Sequence, residues 1–158
     1  MKLFKLLAAT LLMLGTFGMS VLADEPKDKV KAAFVYVGPT GDHGWTYRHD
    51  IGRQQVEEAF GDRVETTFIE SVPEGADAER VMTQLAMQGN DIIFATSFGY
   101  MDPLMSVAKK FPNVKFEHAT GYKQSENAAN YGLKLYQARH VQGIIAGMMT
   151  KTNTICYI

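Results

Sequence analysis

Short continuous runs of apolar residues alternate along this chain with segments in which apolar positions return every three or four residues. The first run, Ala32-Ala33-Phe34-Val35-Tyr36-Val37, has the length and continuity of a buried strand and predicts one over 30–37. A helical pattern follows over 46–60. Residues 64–69 set Val64, Thr66 and Phe68 against Glu65, Thr67 and Ile69, a second strand. Helical spacing over 76–87 (Val81, Met82, Leu85, Ala86) ends at Gly89-Asn90, a common helix stop. The run Ile92-Ile93-Phe94-Ala95 reads as a strand over 91–96 buried on both faces. Asp102-Pro103 looks like an N-cap followed by a first helical residue, opening a helix that ends near Phe111-Pro112. A strand over 114–119, a polar loop over 120–128, a short strand over 130–135 and a helix over 137–150 complete the pattern. In that last helix Val141, Ile144, Ile145 and Met148 share a side, and Gly143 and Gly147 permit close packing. A final strand is expected over 154–158.

Strand and helix alternate with short connections. The expected fold class is therefore α/β: a parallel sheet flanked by helices on both faces, a three-layer αβα arrangement. At 158 residues the chain holds one domain of ordinary size. No internal repeat or low-complexity segment interrupts it.

The beginning of the chain has a different character. Lys2 and Lys5 precede an apolar stretch, and Val21-Leu22-Ala23 places small or modest residues before Asp24. This is the pattern of a cleavable signal peptide over 1–23, so the chain is expected to be exported, to the periplasm in a bacterium with two membranes. No cysteine lies near Ala23 to carry a lipid anchor. The whole chain has a net charge of −1, and losing Lys2 and Lys5 makes it more acidic. That leaves no basic field for nucleic acid. The single cysteine, Cys156, excludes an internal disulfide.

Candidate chemistry concentrates where strands end. The turn Gly38-Pro39-Thr40-Gly41-Asp42-His43-Gly44-Trp45 follows the first strand and opens the first helix. The loops Ser97-Phe98-Gly99-Tyr100-Met101 and Thr120-Gly121-Tyr122 follow the third and fourth. In a parallel sheet these meet on one rim, where small ligands bind. They present Trp45, Phe98 and Tyr100 together with Asp42, Thr46 and Ser97, an aromatic and hydrogen-bonding lining. Trp45, the only tryptophan, would stack on a flat ligand, or else staple the helix start. Asp42 would accept from ligand N–H groups, or else cap the turn. Asp102 reads first as a cap. Neither G-x-G-x-x-G nor a P-loop lysine follows the glycines, so neither nucleotide-phosphate fingerprint is met. His43, His49, His118 and His140 have no metal-ligand spacing, and nothing around Ser97 resembles a nucleophile elbow. No cofactor or metal is expected. Asp50 and Arg53 read as a solvated ion pair, and the methionines as core filler.

Residues 31–37, Asp42-His43-Gly44-Trp45-Thr46, residues 92–102, Phe111-Pro112-Asn113-Val114-Lys115-Phe116 and residues 136–152 resemble the basic membrane protein (BMP) family. These are substrate-binding proteins of ABC importers, many of which bind purines or nucleosides. The most specific matches are Asp42-His43-Gly44-Trp45-Thr46 and Phe98-Gly99-Tyr100-Met101-Asp102. The resemblance implies a non-enzymatic, two-lobed type I periplasmic binding protein with a ligand cleft between the lobes. It places the base-stacking aromatic on Trp45 and polar contacts on Asp42 and Thr46. The loop Phe98, Gly99, Tyr100 to Asp102 would line the cleft, as would Tyr136 and Arg139 at the start of the last helix. A tryptophan in the first loop is closest to the family's purine-base binders, so an adenine-like ligand and an ABC permease as partner are implied. On this reading 24–152 is the N-terminal ligand-binding lobe and 153–158 the start of a truncated second one, with Cys156 where the family has glycine. One lobe alone would bind weakly.

Two rivals stay open. An exported ligand-sensing domain would share the fold and pass its signal by protein contact. A flavodoxin-like or Rossmann enzyme would need a phosphate turn or a paired acid and base, and neither is found.

Overall fold

A computed structural model of the chain describes residues 29–156. The expected signal peptide over 1–23, and the end of the last expected strand at Tyr157 and Ile158, lie outside the described residues. Among the described residues no helix is long and apolar enough to cross a membrane.

Five parallel strands form one sheet: β1 (Val30–Val35), β2 (Val64–Ile69), β3 (Ile92–Ala95), β4 (Lys115–Ala119) and β5 (Ala128–Tyr131), in the order β2-β1-β3-β4-β5. The helices are α1 (Trp45–Phe60), α2 (Ala76–Met87), α3 (Met101–Lys110) and α4 (Leu135–Met149). Because all strands run the same way, every loop that leaves a strand lies on one rim.

Period two decides which residues face which layer. Ala33, Val35, Ile93, Ala95 and Phe116 point to one face and pack against Ala78, Val81, Met82 and Leu85 of α2 and Leu104, Val107 and Ala108 of α3. This is the main core. Ala32, Phe34 and Tyr36 point to the other face, with Val64, Ile92 and Phe94 beside them. There α1 is the covering helix, and Thr46 and Asp50 are its buried residues.

Local signals fix the ends of the helices on the main core. At the end of α2, Gly89 adopts φ +80° and its N–H donates to Ala86 O, while Asn90 N–H donates to Leu85 O. That pair of bonds is the Schellman stop, which a glycine in the left-handed region permits. The end of α3 is held from a distance. Asn127 Nδ2 lies within 3.0 Å of the carbonyls of Ala108 and Phe111 and 2.9 Å of that of Val114.

Several expectations need correction. The fifth strand spans Ala128–Tyr131, not 130–135, and pairs Phe116 with Ala128 through Ala119 with Tyr131. Residues 132–134 are instead the connection to α4, which begins at Leu135. α3 begins at Met101 after a 3-10 turn over Phe98–Tyr100, so Asp102 lies inside its first turn and does not cap it. Thr154, Ile155 and Cys156 form no strand. Asp50 and Arg53 are not a solvated pair but lie beneath α1, with side chains about one-tenth exposed. Asp50 accepts from Arg53 Nε (2.7 Å), Gln54 Nε2 (2.7 Å) and the Tyr36 hydroxyl (3.3 Å), while Arg53 also donates to Thr66 Oγ1 (2.9 Å). Burial alone would raise the Asp50 pKa, but the hydrogen bonds from Arg53 and Gln54 outweigh it and hold the carboxyl below its ordinary value. Finally, the two faces are not equally covered. No residue of α4 is buried, and its apolar side chains stand in solvent.

Candidate functional site

The rim is assembled by four loops: 36–44 after β1, 70–75 after β2, 96–100 after β3 and 120–127 after β4. Their common focus is the backbone of Thr96 and Ser97, where β3 ends. Trp45 Nε1–H donates to Thr96 O at 2.5 Å. The His118 ring, through Nε2, meets Ser97 O at 2.6 Å, which makes Nε2 the protonated nitrogen because a carbonyl only accepts. Glu74 Oε1 accepts from the Ser97 hydroxyl at 2.5 Å and from Gly99 N–H at 3.2 Å. The start of α1, the end of β4 and the loop after β2 therefore converge on the loop after β3, chiefly on its main chain.

Each sequence-predicted residue has a definite place in this frame. Trp45 is the first residue of α1 and half-buried; its N–H is engaged, which leaves only ring surface for further contacts. The His49 ring packs against the indole at 4.6 Å between centroids, inclined by 52°. Asp42 is exposed, and its Oδ1 accepts from Gly44 N–H at 2.7 Å and Tyr47 N–H at 3.1 Å. Those backbone bonds, the one from Gly44 foremost, hold its carboxyl below the ordinary value. Asp42 thus takes two backbone N–H groups at the start of α1, the capping role that was the alternative reading of this residue. Thr46 is fully buried, and its Oγ1 accepts from Gly38 N–H at 3.2 Å, closing the first loop from inside.

Phe98 is 56% exposed and faces Tyr122, itself 71% exposed, at 6.4 Å between rings. These are the rim's free aromatic surfaces beside Trp45. Gly99 has no room for a side chain: a Cβ there would fall 2.2 Å from the Glu74 carboxyl. Tyr100 does not reach the rim. It is fully buried in the main core, donates to Val72 O at 2.6 Å, and burial pushes its pKa up. Asp102 is exposed and pairs with Lys123 Nζ at 2.6 Å, tying α3 to the loop after β4. Tyr136 lies in the first turn of α4 and is exposed.

Glu74 escaped the sequence reading, and His118, weighed there only as a metal ligand or a base for Ser97, has a different role. Glu74 belongs to the loop after β2, and an exposed glutamate between Pro73 and Gly75 carries no periodic signal. His118 is 1% exposed, and its Nδ1 has no hydrogen-bond partner among the described residues. Gly121 makes room for it, since a Cβ there would fall 1.8 Å from Nδ1. Burial lowers the His118 pKa, the bond to Ser97 opposing this only in part. Among the described residues no group of histidine, cysteine and acidic side chains could hold a metal ion.

Comparison with known proteins adds to this geometry. Residues 29–158 match the Bmp family, described as PnrA-like ABC transporter substrate-binding proteins. Over 136 residues the chain is 56% identical to "Purine-binding protein BAB2_0673" of Brucella abortus, covering 86% of this chain and 39% of that protein. Over 131 residues it is 44% identical to "Putative ABC transporter glucose-binding protein TsgA13" of Haloferax volcanii, covering 83% of this chain and 33% of that protein. The chain thus spans about two-fifths or less of the length of these relatives. Among solved structures, an ABC transporter solute-binding protein from Conexibacter woesei superposes with a TM-score of 0.64 at 21% identity, covering 75% of this chain and 40% of that one. One from Aeropyrum pernix K1 superposes at 0.65 and 24% identity, covering 75% of this chain and 32% of that one. At such identities they support the fold, part of a periplasmic binding protein.

Proposed function

The chain belongs to the Bmp family of PnrA-like ABC transporter substrate-binding proteins, a family of binding proteins and not enzymes, and from that premise we propose that its rim recognises a purine. The observation that carries this reading is the state of Trp45. Its one polar atom is tied to Thr96 O, so the ring is held in one orientation, and the part of its surface away from His49 is the remaining contact surface. A rigid aromatic plane matches a flat heterocycle over its whole face, whereas a hexose ring carries hydroxyls all round that need hydrogen-bond partners as well. Phe98 and Tyr122 offer further aromatic surface on the same rim. The relative of higher identity is named as purine-binding, which points the same way.

Polar selectivity would come from rim groups with remaining acceptor capacity, the carboxylates of Asp42 and Glu74. An adenine-like base, with its amino group and ring N–H, supplies matching donors. In a two-lobed binder this rim would face a second lobe, and closure of the two would desolvate the base before delivery to an ABC permease outside the cytoplasm. The unit 24–152 is then one half of the cleft, with its packed part running from β1 to β5.

The test uses Trp45 as its own reporter, since the chain has no other tryptophan. Adenine, hypoxanthine and glucose are titrated while indole emission is followed, with isothermal calorimetry in parallel. A saturable response to a purine and none to glucose supports the proposal. A response to glucose and none to purines overturns it in favour of a sugar site.

A further inference from the structure

His118 is a fully buried histidine beneath the rim, on the face of β4 that also carries Phe116. Its two ring nitrogens have unlike surroundings. Nε2–H donates to Ser97 O, while Nδ1 has no hydrogen-bond partner among the described residues. The Gly121 main chain closes over Nδ1, where a Cβ would not fit. The ring that suits this place is neutral, with its one proton on Nε2. A second proton on Nδ1 would be a buried donor without an acceptor, and the charge it brings would lack a partner.

The atom that His118 holds is a pivot. Ser97 O opens the 3-10 turn over Phe98–Tyr100, accepting from Tyr100 N–H at 3.1 Å, and His118 reaches the same oxygen from the neighbouring strand. The residue before it is fixed independently. Thr96 N–H and Oγ1 both donate to Val35 O, at 3.1 and 2.9 Å. The chain is therefore pinned at 96 by β1, and the turn that presents Phe98 takes its direction at Ser97. Trp45 and His118 hold successive carbonyls, those of Thr96 and Ser97, so a rotation at Ser97 is felt at the indole.

We propose that His118 is a positioning residue of the recognition rim: as a neutral ring it fixes Ser97 and hence the turn that presents Phe98, and its protonation releases that turn, so the rim holds its ligand less tightly in acid. The charged groups on the elements packed against this face are already engaged elsewhere. Glu74 accepts from Ser97 and Gly99, and Asp102 of α3 pairs with Lys123 of the loop after β4. The Tyr100 hydroxyl donates to Val72 O, and Tyr122 is exposed beside Phe98. On β4 itself Lys115 is exposed, and Glu117, with Tyr131 of β5, lines the hollow on the α1 side of the sheet. None of these bonds to Nδ1, so a protonated ring has no partner to retain it. The lowering of the His118 pKa by burial is in keeping with this. The hold on Ser97 is independent of ligand; its effect on affinity rests on the purine reading.

Trp45 is the chain's only tryptophan, so its indole N–H gives a single signal in a proton–nitrogen correlation spectrum. The titration is made on the full chain carrying His43→Gln and His49→Gln, because His49 packs against the same indole and His43 lies two residues from it. From about pH 8 to about pH 5 the signal should shift with an inflection below the ordinary histidine value of about 6.5, with far-UV circular dichroism unchanged. Adding His118→Gln should remove the inflection, since glutamine offers Ser97 O an N–H donor but has no proton to gain. An inflection that survives His118→Gln overturns the proposal, as does none in its presence. A shift that comes only with loss of circular dichroism also overturns it, since His118 would then hold the fold and not the rim. Calorimetry with adenine extends the test to the ligand. Between about pH 7.5 and about pH 5.5 the affinity of the unmodified chain should fall about three- to tenfold, the worth of one hydrogen bond, and that of His118→Gln should not. Equal falls in both overturn the effect on affinity. Absence of adenine binding at either pH refutes the purine reading and with it the effect on affinity, while the indole titration still decides whether His118 positions the rim.

Discussion

Replacing Gly99 by alanine tests how the rim is held, and the outcome should depend on a residue twenty-five positions away. A Cβ at 99 would fall 2.2 Å from the Glu74 carboxyl carbon, so Glu74 must swing out and release both Ser97 Oγ and Gly99 N–H. Two exposed hydrogen bonds to a carboxylate contribute on the order of 0.5–1 kcal/mol each, so their joint loss costs about 1–2 kcal/mol. Against this, alanine lowers the entropy of the unfolded chain, worth about 0.4–1 kcal/mol, and Gly99 does not occupy the positive-φ region that would forbid it. Gly99→Ala alone should therefore destabilise by about 1 kcal/mol, and Glu74→Ala by about 1–2 kcal/mol. In the Glu74→Ala background the obstacle is gone, and Gly99→Ala should become stabilising by about 0.5 kcal/mol. The coupling of about 1–2 kcal/mol is read from urea denaturation of the four proteins followed by circular dichroism. Additive effects would show that Glu74 does not hold this loop.

Other consequences follow from buried groups. Tyr100→Phe leaves the Val72 carbonyl unpaired in the core and should cost about 1–3 kcal/mol in urea denaturation while leaving the Trp45 ligand response unchanged; a lost response with intact stability would place Tyr100 in the site instead. His118 is held neutral by burial, its folded pKa lying below the ordinary 6.5. The unfolded chain then binds more protons as pH falls, so stability is complete above about pH 7 and erodes as pH drops through 6.5 toward the folded value. His118→Gln should flatten that slope between pH 7 and 5 in thermal melts, and an unchanged slope would assign it to other groups. Asn127→Asp should destabilise more than Asn127→Ala, because it turns a negative charge toward three carbonyls, those of Ala108 and Phe111 at the negative end of α3 and that of Val114; equal thermal shifts for the two would contradict this.

The elements legible in the sequence were those whose pattern is strong and local. β2 and α2 have their expected bounds because alternation in one, and Ala78, Val81, Met82, Leu85 with a glycine stop in the other, are complete within their own segments. β5 was misplaced because Ala128, Ala129 and Asn130 carry little apolar signal; their register is set by pairing with Phe116 to His118, which no local window contains. The Asp50–Arg53 pair read as solvated because i,i+3 charges usually are, and only the placement of α1 over Tyr36 and Thr66 buries it. At the rim, the first, third and fourth loops were located from strand ends and glycines. Their internal roles were not: Thr46 and Tyr100 turn inward, and Glu74, silent in the sequence, organises the loop that carries Phe98. Tyr100 was readable in hindsight, since 100, 104 and 107 share one helical stripe with the buried Leu104 and Val107.

The bonds from Trp45 and His118 end on the carbonyl oxygens of Thr96 and Ser97, atoms that every amino acid possesses. A drifting gene can therefore exchange the side chain at position 98 without cutting either anchor. A loop tethered by its main chain in this way keeps its course whatever side chain it presents, so that, if the rim is the recognition surface, its chemistry can change without moving its frame.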